Sequence, residues 1–199
     1  MSEQTNKNKE SIWNLPNALT IFRIILIIPF TVLLLGGQRG WFGSNLLVPD
    51  ILADLIFIIA SLTDMLDGKI ARRFGLVSNF GKFMDPLADK LLVCTAMIAL
   101  IDMKRIPAWV VIIIIAREFI ISGFRLIAAE KGVVIAASYW GKFKTASQMF
   151  MIILFIINID ALFIPGQVLM YIALALTVIS LIDYIVKNKD VMKDEPGEA

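Results

Sequence analysis

Four aspartates lie close together in an otherwise apolar part of the sequence: Asp64, Asp67, Asp85 and Asp89. The first two are three positions apart and the last two are four apart, so on helices each pair shares one face. A turn at residues 74–79 would place the two helices side by side and antiparallel. We therefore expect the four carboxylates to converge at one end of a helical bundle.

These carboxylates have the composition of a site for hard metal ions. Neighbouring carboxylates repel one another and do not all stay ionised unaided. The chain has no histidine and a single cysteine, Cys94, so a histidine-based triad, a histidine-ligated zinc site, an imidazole base and an intrachain disulfide are excluded. All-oxygen ligands suit Mg²⁺ or Mn²⁺, and two-metal sites typically act on phosphoryl groups. We expect two such ions here.

Small and basic residues accompany the aspartates. Gly68, Ala71 and Gly81 extend the same helix faces and would let a ligand approach the backbone closely, while Arg72 could pair with a phosphate. The alternative is that charges at helix ends only contact solvent. Ionisable groups within membrane helices are usually functional, which favours the metal site.

The composition indicates that these helices lie in lipid. Of 199 residues, 58% are hydrophobic and 18% are charged, whereas soluble domains average about 45–50% apolar and about 25% charged residues. We predict an all-α membrane protein of one domain with six spans, each about 20 residues once flanking polar positions are included. The apolar cores of the predicted spans are residues 21–35, 51–66, 87–101, 106–121, 149–159 and 168–186.

Lysine and arginine are distributed unevenly between the predicted loops. The loops after spans two and four and the segment after span six carry most of them, whereas the opposite loops hold only Arg39, Lys104 and Arg105. By the positive-inside rule, both termini and the aspartates then face the cytoplasm.

The chain ends are predicted to lie outside the bundle. We expect residues 1–10 to form a disordered cytoplasmic tail, residues 11–187 the catalytic membrane domain and residues 188–199 a cytoplasmic C-terminal tail. The segment "SIWNLPNALT" is predicted to begin the domain as a short interfacial helix. The first apolar run has no small-x-small cleavage site after it, so we interpret it as a span rather than a signal peptide.

The pattern D-x2-D-G-x2-A-R-x8-G-x3-D-x3-D, which runs from Asp64 to Asp89, resembles the complete signature of the CDP-alcohol phosphatidyltransferase family. The resemblance implies a six-helix membrane fold, often dimeric, with a dinuclear metal site that faces the cytoplasm. It also implies transfer of a phosphatidyl group, or a similar substituted phosphate, from a CDP-linked donor such as CDP-diacylglycerol to an alcohol, with release of CMP. We accordingly expect a homodimer in a bacterial cytoplasmic membrane, in contact with lipid and not with nucleic acid.

The family's residue roles transfer to the matching positions of this chain. The resemblance implies that Asp64, Asp67 and Asp85 are metal ligands, and that Asp89 is the general base and a further metal contact. The implied CDP site consists of Asp64, Gly68, Ala71, Arg72 and Gly81. The chain's own chemistry agrees, because without histidine a carboxylate near the metals is the plausible base for an attacking hydroxyl.

The acceptor alcohol must be recognised by residues outside the signature. The segments "NLPNALTIFRIILIIPF", "AREFIISGFR" and "GKFKTASQM" resemble those of the bacterial phosphatidylglycerophosphate synthases, in which the acceptor is sn-glycerol 3-phosphate. Such a dianion requires cations, since arginine binds phosphate through paired hydrogen bonds and lysine supplies charge. The expected acceptor-phosphate residues are Arg117, Arg125, Lys142, Lys144 and Thr145. Positive-inside topology alone is the alternative explanation for single cations in this group.

Two other polar features lie outside the signature. Asn17, Thr20 and Arg23 form a polar stripe at the start of the first span, and they either face the CDP phosphates or cap the helix. Glu118 is expected to pair with a basic residue of a neighbouring helix, which is a structural role.

Three alternative functions are compatible with parts of the pattern. The same chemistry with serine, inositol, inositol phosphate or phosphatidylglycerol as the acceptor is the closest. A divalent-cation transporter would use the aspartates as a transport site, but it would place them nearer the middle of the membrane. A non-catalytic scaffold that binds lipid or nucleotide is the third.

Overall fold

The computed structural model describes residues 15–43, 47–74, 79–133, 135 and 139–189, and for residues 15, 65–74, 79 and 82 it describes the backbone alone. The predicted tail at residues 1–10 and most of the predicted tail at residues 188–199 lie outside this part of the chain. Within it, all regular structure is helical. The six helices are α1 (Leu15–Gln38), α2 (Leu47–Phe74), α3 (Asn79–Asp102), α4 (Ala108–Glu130), α5 (Tyr139–Ile157) and α6 (Asp160–Asn188).

The helices coincide with the six apolar runs of the sequence and extend beyond them. The first, second, third and sixth cores lie wholly inside helices, while the fourth begins two residues before α4 and the fifth ends two residues after α5. The predicted interfacial helix is not separate over residues 15–20, because these residues form the start of α1. Its first residues lie outside the described chain. The two helices that carry the predicted aspartates are α2 and α3. Helix α2 ends at Phe74 and α3 begins at Asn79, and the structure does not describe residues 75–78 between them.

The core of the bundle is built from large side chains of every helix. Helix α1 packs on α2 and α3, α5 packs on α6 and α2, and α4 packs on α6. Phe30 and Phe57 meet with ring centroids 6.0 Å apart. Around them lie fully buried residues that include Leu34, Leu92, Met97, Leu100, Ile114, Met151, Ile152 and Met170. This packing fixes α2 and α3 against α1, and α4 and α5 against α6.

Large apolar side chains also cover the outside of the bundle. On α6 alone, residues such as Ile164, Tyr171 and Ile182 are more than half exposed. Among the described residues, three helices are long and apolar enough to cross a membrane: Pro16–Gln38, Tyr139–Ile157 and Asp160–Asn188. The other three are α2 and α3, which carry the aspartates of the predicted site, and α4, which carries Arg117 and Arg125.

A buried ion pair joins three elements at the end of the bundle remote from the aspartates. Arg105, in the turn between α3 and α4, lies 2.7 Å from Asp50 in the first turn of α2. The same guanidinium donates to the carbonyl oxygens of Phe155 at 3.0 Å and Ile156 at 2.7 Å. These carbonyls belong to the last turn of α5, where backbone acceptors have no partner within the helix. Arg105 therefore caps α5 and ties it to α2.

Helix α4 ends at a glycine-dependent turn. Gly132 has a φ of +70°, which glycine adopts at low cost. Its N–H donates to the carbonyl of Ala129, and the N–H of Val133 donates to that of Ala128, which is the hydrogen-bond pattern of a Schellman motif. The turn fixes where α4 stops, and the preceding turns of α4 carry Arg117 and Arg125 of the predicted acceptor site.

Candidate active site

The carboxylates of α2 and α3 lie within electrostatic reach of one another. Asp64, Asp85 and Asp89 are all partly buried. The charge of Asp64 acts on both of the other two. Helix α1 packs against both helices, and its N-terminal half faces this cluster. The two-helix arrangement that the spacing predicts is therefore present for the three aspartates whose side chains are described.

The polar stripe of α1 contacts the aspartates directly. Arg23 is fully buried and donates to Asp64 Oδ1 at 2.6 Å and to the carbonyl of Ala60 at 3.2 Å. Thr20 Oγ1 lies 2.5 Å from Asp85 Oδ1, and Asn17 is buried on the same face. The structure thus assigns Thr20 and Arg23 a contact that neither interpretation of the sequence included. They orient carboxylates of the cluster.

Part of the predicted donor site lies beyond what the structure describes. The backbone at Asp67, Gly68, Ala71 and Arg72 is helical, but these side chains lie outside the described residues. Gly81 is buried in the first turn of α3. It lies on the segment that leads into Asp85.

A cavity of about 590 Å³ opens beside Asp89 and is lined by basic residues. Four of the five residues predicted to bind the acceptor phosphate line it: Arg117, Arg125, Lys142 and Thr145. The fifth, Lys144, lines a smaller adjoining cavity of about 40 Å³ together with Asp89 and Thr145. The larger cavity lies between α3, α4, α5 and α6. Its volume is within the range of small-molecule sites.

A buried ion cluster forms the wall between the two cavities. Glu118 Oε1 accepts from Arg117 Nη1 at 3.0 Å and from Lys144 Nζ of α5. Arg117 and Lys144 are 8% and 2% exposed. The expected pairing of Glu118 with a basic residue of a neighbouring helix is confirmed. Burial of two cations beside one carboxylate leaves this wall with a net positive charge.

The other predicted acceptor residues differ in exposure and in their contacts. Lys142 and Arg125 are exposed at the cavity, and the guanidinium carbon of Arg125 lies 6.0 Å from the centroid of the Tyr184 ring. The Thr145 hydroxyl donates to the carbonyl of Gly141 at 3.0 Å. Its proton is therefore committed to its own helix, although the residue lines the cavity as predicted.

Among the cavity-lining residues that sequence reasoning did not select are two polar ones, Lys90 and Ser122. Lys90 follows Asp89 on α3, and its Nζ contacts Ser122 Oγ on α4. Ser122 donates in turn to the carbonyl of Glu118 at 2.6 Å. Lys90 is adjacent to Asp89 in the sequence. Because adjacent residues do not share a helix face, the spacing of the aspartates gave no reason to select it.

Asp89 connects the acidic and basic halves of this arrangement. Its carboxylate interacts electrostatically with Asp64 and Arg23 on one side and with Glu118 and Lys144 on the other. It lines both cavities. A carboxylate in this position can accept a proton from a hydroxyl group of an anion held in the basic cavity.

The sequence matches a family model over most of its length. A model described as CDP-alcohol phosphatidyltransferase matches residues 13–179. The chain belongs to the CDP-alcohol phosphatidyltransferase family. The match covers α1 to α5 and most of α6, so it includes the aspartate cluster and the basic residues of the cavity, whereas Tyr184 follows it.

Curated members of the family resemble this chain over most of its length. A Bacillus subtilis protein named CDP-diacylglycerol–glycerol-3-phosphate 3-phosphatidyltransferase is 40% identical over 190 residues, 92% of this chain and 98% of its own. A Haemophilus influenzae protein of the same name is 39% identical over 191 residues, 92% of this chain and 97% of its own. A probable phosphatidylglycerophosphate synthase of Mycobacterium tuberculosis is 37% identical over 177 residues, 88% of this chain and 82% of its own. Together with the apolar helices, membership of the family indicates an integral membrane protein.

Proposed function

We propose that this protein transfers the phosphatidyl group of CDP-diacylglycerol to sn-glycerol 3-phosphate and releases CMP. The observation that carries the proposal is the basic cavity that meets the aspartate cluster at Asp89. The relatives named for this reaction support the choice of both substrates. The product is phosphatidylglycerophosphate, a precursor of anionic phospholipid.

In the proposed reaction, one group of residues binds the acceptor and Asp89 accepts its proton. Arg117, Arg125 and Lys142 hold the phosphate of glycerol 3-phosphate, with Lys144 and Thr145 behind them, so that its free primary hydroxyl points toward Asp89. That oxygen attacks the phosphorus that bears the diacylglycerol, and its proton passes to Asp89. The bond from this phosphorus to the oxygen of CMP breaks, and CMP leaves with the electron pair. Water is a poor competitor because the bound acceptor occupies the cavity.

The donor binds on the side of the cluster formed by α1, α2 and α3. Gly68, Ala71 and Gly81 allow the cytidine and pyrophosphate to approach the helices, and Arg72 pairs with a phosphate. Asp64 contributes to the same site. Thr20 and Arg23 act here chiefly through the aspartates that they contact, as their hydrogen bonds support. Asn17, which is buried in the same stripe, contacts a CDP phosphate.

The aspartates are the proposed ligands of a pair of Mg²⁺ or Mn²⁺ ions. Asp64, Asp67, Asp85 and Asp89 would hold them with oxygen ligands alone. Among the described residues, Arg23 is the one cation ion-paired with Asp64, Asp85 or Asp89, so the cluster keeps excess negative charge. When bound, the ions offset charge on the pyrophosphate and on departing CMP.

The membrane arrangement follows from charge and from the outer surface. All six helices cross the bacterial cytoplasmic membrane, with both termini and the active site on the cytoplasmic side. The exposed apolar side chains of α4 and α6 support contact with lipid and with a second copy in a homodimer. Charged residues near the ends of α2, α3 and α4 lie toward the cytoplasmic boundary, where the soluble acceptor arrives.

An acceptor panel tests the proposed function. Purified protein in detergent is supplied with CDP-diacylglycerol, Mg²⁺ and one labelled acceptor at a time: glycerol 3-phosphate, serine, inositol, inositol phosphate or phosphatidylglycerol. We expect a new labelled phospholipid to form from glycerol 3-phosphate alone, with one CMP released per product. Incorporation of another acceptor in its place would overturn the choice of acceptor. Metal flux into liposomes without CDP-diacylglycerol would indicate a transporter instead.

A further inference from the structure

Helix α6 touches both arginines of the basic cavity, through two residues one helical turn apart. Ser180 Oγ lies 3.2 Å from Arg117 Nε, and the ring centroid of Tyr184 lies 6.0 Å from the guanidinium carbon of Arg125. Ser180 is fully buried and Tyr184 is 2% exposed. Because residues four apart share a helix face, one face of α6 supports both cations.

Ser180 completes a three-sided holder for Arg117. Its hydroxyl donates to the carbonyl of Thr177 at 3.0 Å, so its lone pairs remain available to accept from Arg117 Nε. Glu118 takes a hydrogen bond from Nη1 on another side. On the third side is Gly141, where an added Cβ would lie 3.3 Å from Nη2. A guanidinium has five N–H donors, so this holder fixes its plane and still leaves donors for a phosphate.

Tyr184 supports Arg125 in a different way. The face of an aromatic ring attracts a guanidinium. This ring also makes a T-shaped contact with Phe124, at a centroid distance of 6.1 Å and an interplanar angle of 89°. Tyr184 lines the cavity. Its hydroxyl is buried and has no hydrogen-bond partner among the described residues. The contact that links Tyr184 to the cavity's cations is therefore made by the ring.

We propose that Ser180 and Tyr184 are positioning residues for the acceptor, and that α6 thereby sets the direction in which Arg117 and Arg125 present their N–H donors. This rests on the proposed function, in which the two arginines bind the phosphate of the acceptor. Neither α6 residue needs to touch the substrate. Loss of either one misdirects an arginine that is still present, so the acceptor binds less well while the donor binds as before.

The test is a set of kinetic constants for variants of the full-length protein with both substrates varied. Ser180→Ala is expected to raise KM for glycerol 3-phosphate about tenfold, as loss of a hydrogen bond to a charged group does. Tyr184→Leu is expected to raise it about three- to fivefold, as loss of a cation–π contact does. In both variants KM for CDP-diacylglycerol should stay within about twofold of the wild-type value. Tyr184→Phe keeps the ring and is expected to behave as wild type.

Matched controls come from the same helix. Thr177→Ala removes a buried hydroxyl that bonds to the carbonyl of Ala173 within α6, and Tyr171→Leu removes a tyrosine ring that is 54% exposed. Neither should change KM for glycerol 3-phosphate. The inference is overturned if Ser180→Ala leaves that constant unchanged, if both KM values rise together, or if Tyr184→Phe loses as much as Tyr184→Leu. A wild-type protein that does not use glycerol 3-phosphate at all would instead refute the proposed function, before any variant is compared.

Discussion

Asp89 is the residue at which the two halves of the site meet, because its carboxylate faces the other aspartates and the basic cavity at once. Sequence spacing selects Asp89 but does not show that Asp89 also lines the basic cavity. The Glu118–Lys144 and Arg117–Ser180 contacts join positions 26 and 63 residues apart, and no local pattern reports such distances. By contrast, the stripe of Asn17, Thr20 and Arg23 is visible in the sequence, and only its partners required the structure.

Replacement of Asp89 by asparagine tests its role as the base. An amide of nearly the same shape cannot take the proton of the acceptor hydroxyl, so we expect kcat to fall by about 10²–10⁴. Binding of CDP-diacylglycerol should remain, measured by equilibrium binding of labelled donor. Asp102→Asn, an exposed acid at the other end of α3, serves as the control. A variant that retains a tenth or more of wild-type kcat would exclude this role.

Lys142 and Lys144 form a natural pair for comparison, since one is exposed and the other is buried against Glu118. Lys142→Met should raise KM for glycerol 3-phosphate severalfold without changing thermal stability. Lys144→Met removes a partner from the partly buried Glu118 carboxylate and should lower the free energy of unfolding by about 1–3 kcal/mol as well. Thermal unfolding in detergent measures the difference. Equal stability of the two variants would contradict the separation of roles.

At the scale of helices, the bundle is secured at the end remote from the aspartates by Arg105. It pairs with Asp50 and caps α5. The sequence places Arg105 only among the few cations of the opposite loops. The capping role depends on where α5 ends relative to the turn between α3 and α4, a packing relation that hydropathy does not encode. Helix existence itself is predictable here, because each apolar run is long.

Asp50→Asn tests this connection. It leaves the Arg105 guanidinium buried without its counter-charge, and breaking such a pair costs about 3–5 kcal/mol. We expect a markedly lower unfolding temperature in detergent, while KM for both substrates measured at low temperature stays unchanged. Asp102→Asn should be neutral in the same measurement. If Asp50→Asn is as stable as Asp102→Asn, the ion pair does not secure the bundle.

For the molecule as a whole, the order of the helices brings the aspartates of α2 and α3 beside the basic residues of α4 and α5, and α6 closes the other side. The number of helices and the pairing of the aspartates on helix faces could be predicted from sequence, since both depend on residues that are close together in the chain. The contacts of α6 with the cavity's arginines could not be predicted. Ser180 and Tyr184 look like ordinary buried positions of an apolar helix until their partners from α4 are known.

The proposed metal ions would be held by the assembled site rather than by any one residue. Removal of divalent ions by a chelator should abolish CMP release, because the carboxylate cluster then repels the pyrophosphate. Added Mg²⁺ or Mn²⁺ should restore it, and added Ca²⁺ should do so poorly, since its longer and more numerous bonds suit a different site. Full activity after exhaustive chelation, with metal content checked by elemental analysis, would refute the proposed metal site.

The central claim is that the basic cavity beside Asp89 binds the phosphate of the acceptor. Steady-state kinetics of Arg125→Ala, with Arg39→Ala as the control, tests it most directly. Arg39 is also exposed and stacks on an aromatic ring, that of Trp41 at 5.9 Å, but it follows α1 and does not line this cavity. We predict that Arg125→Ala raises KM for glycerol 3-phosphate at least tenfold and leaves KM for CDP-diacylglycerol unchanged, while Arg39→Ala changes neither. An unchanged KM for glycerol 3-phosphate in Arg125→Ala, or an equal rise in both constants, would contradict the claim.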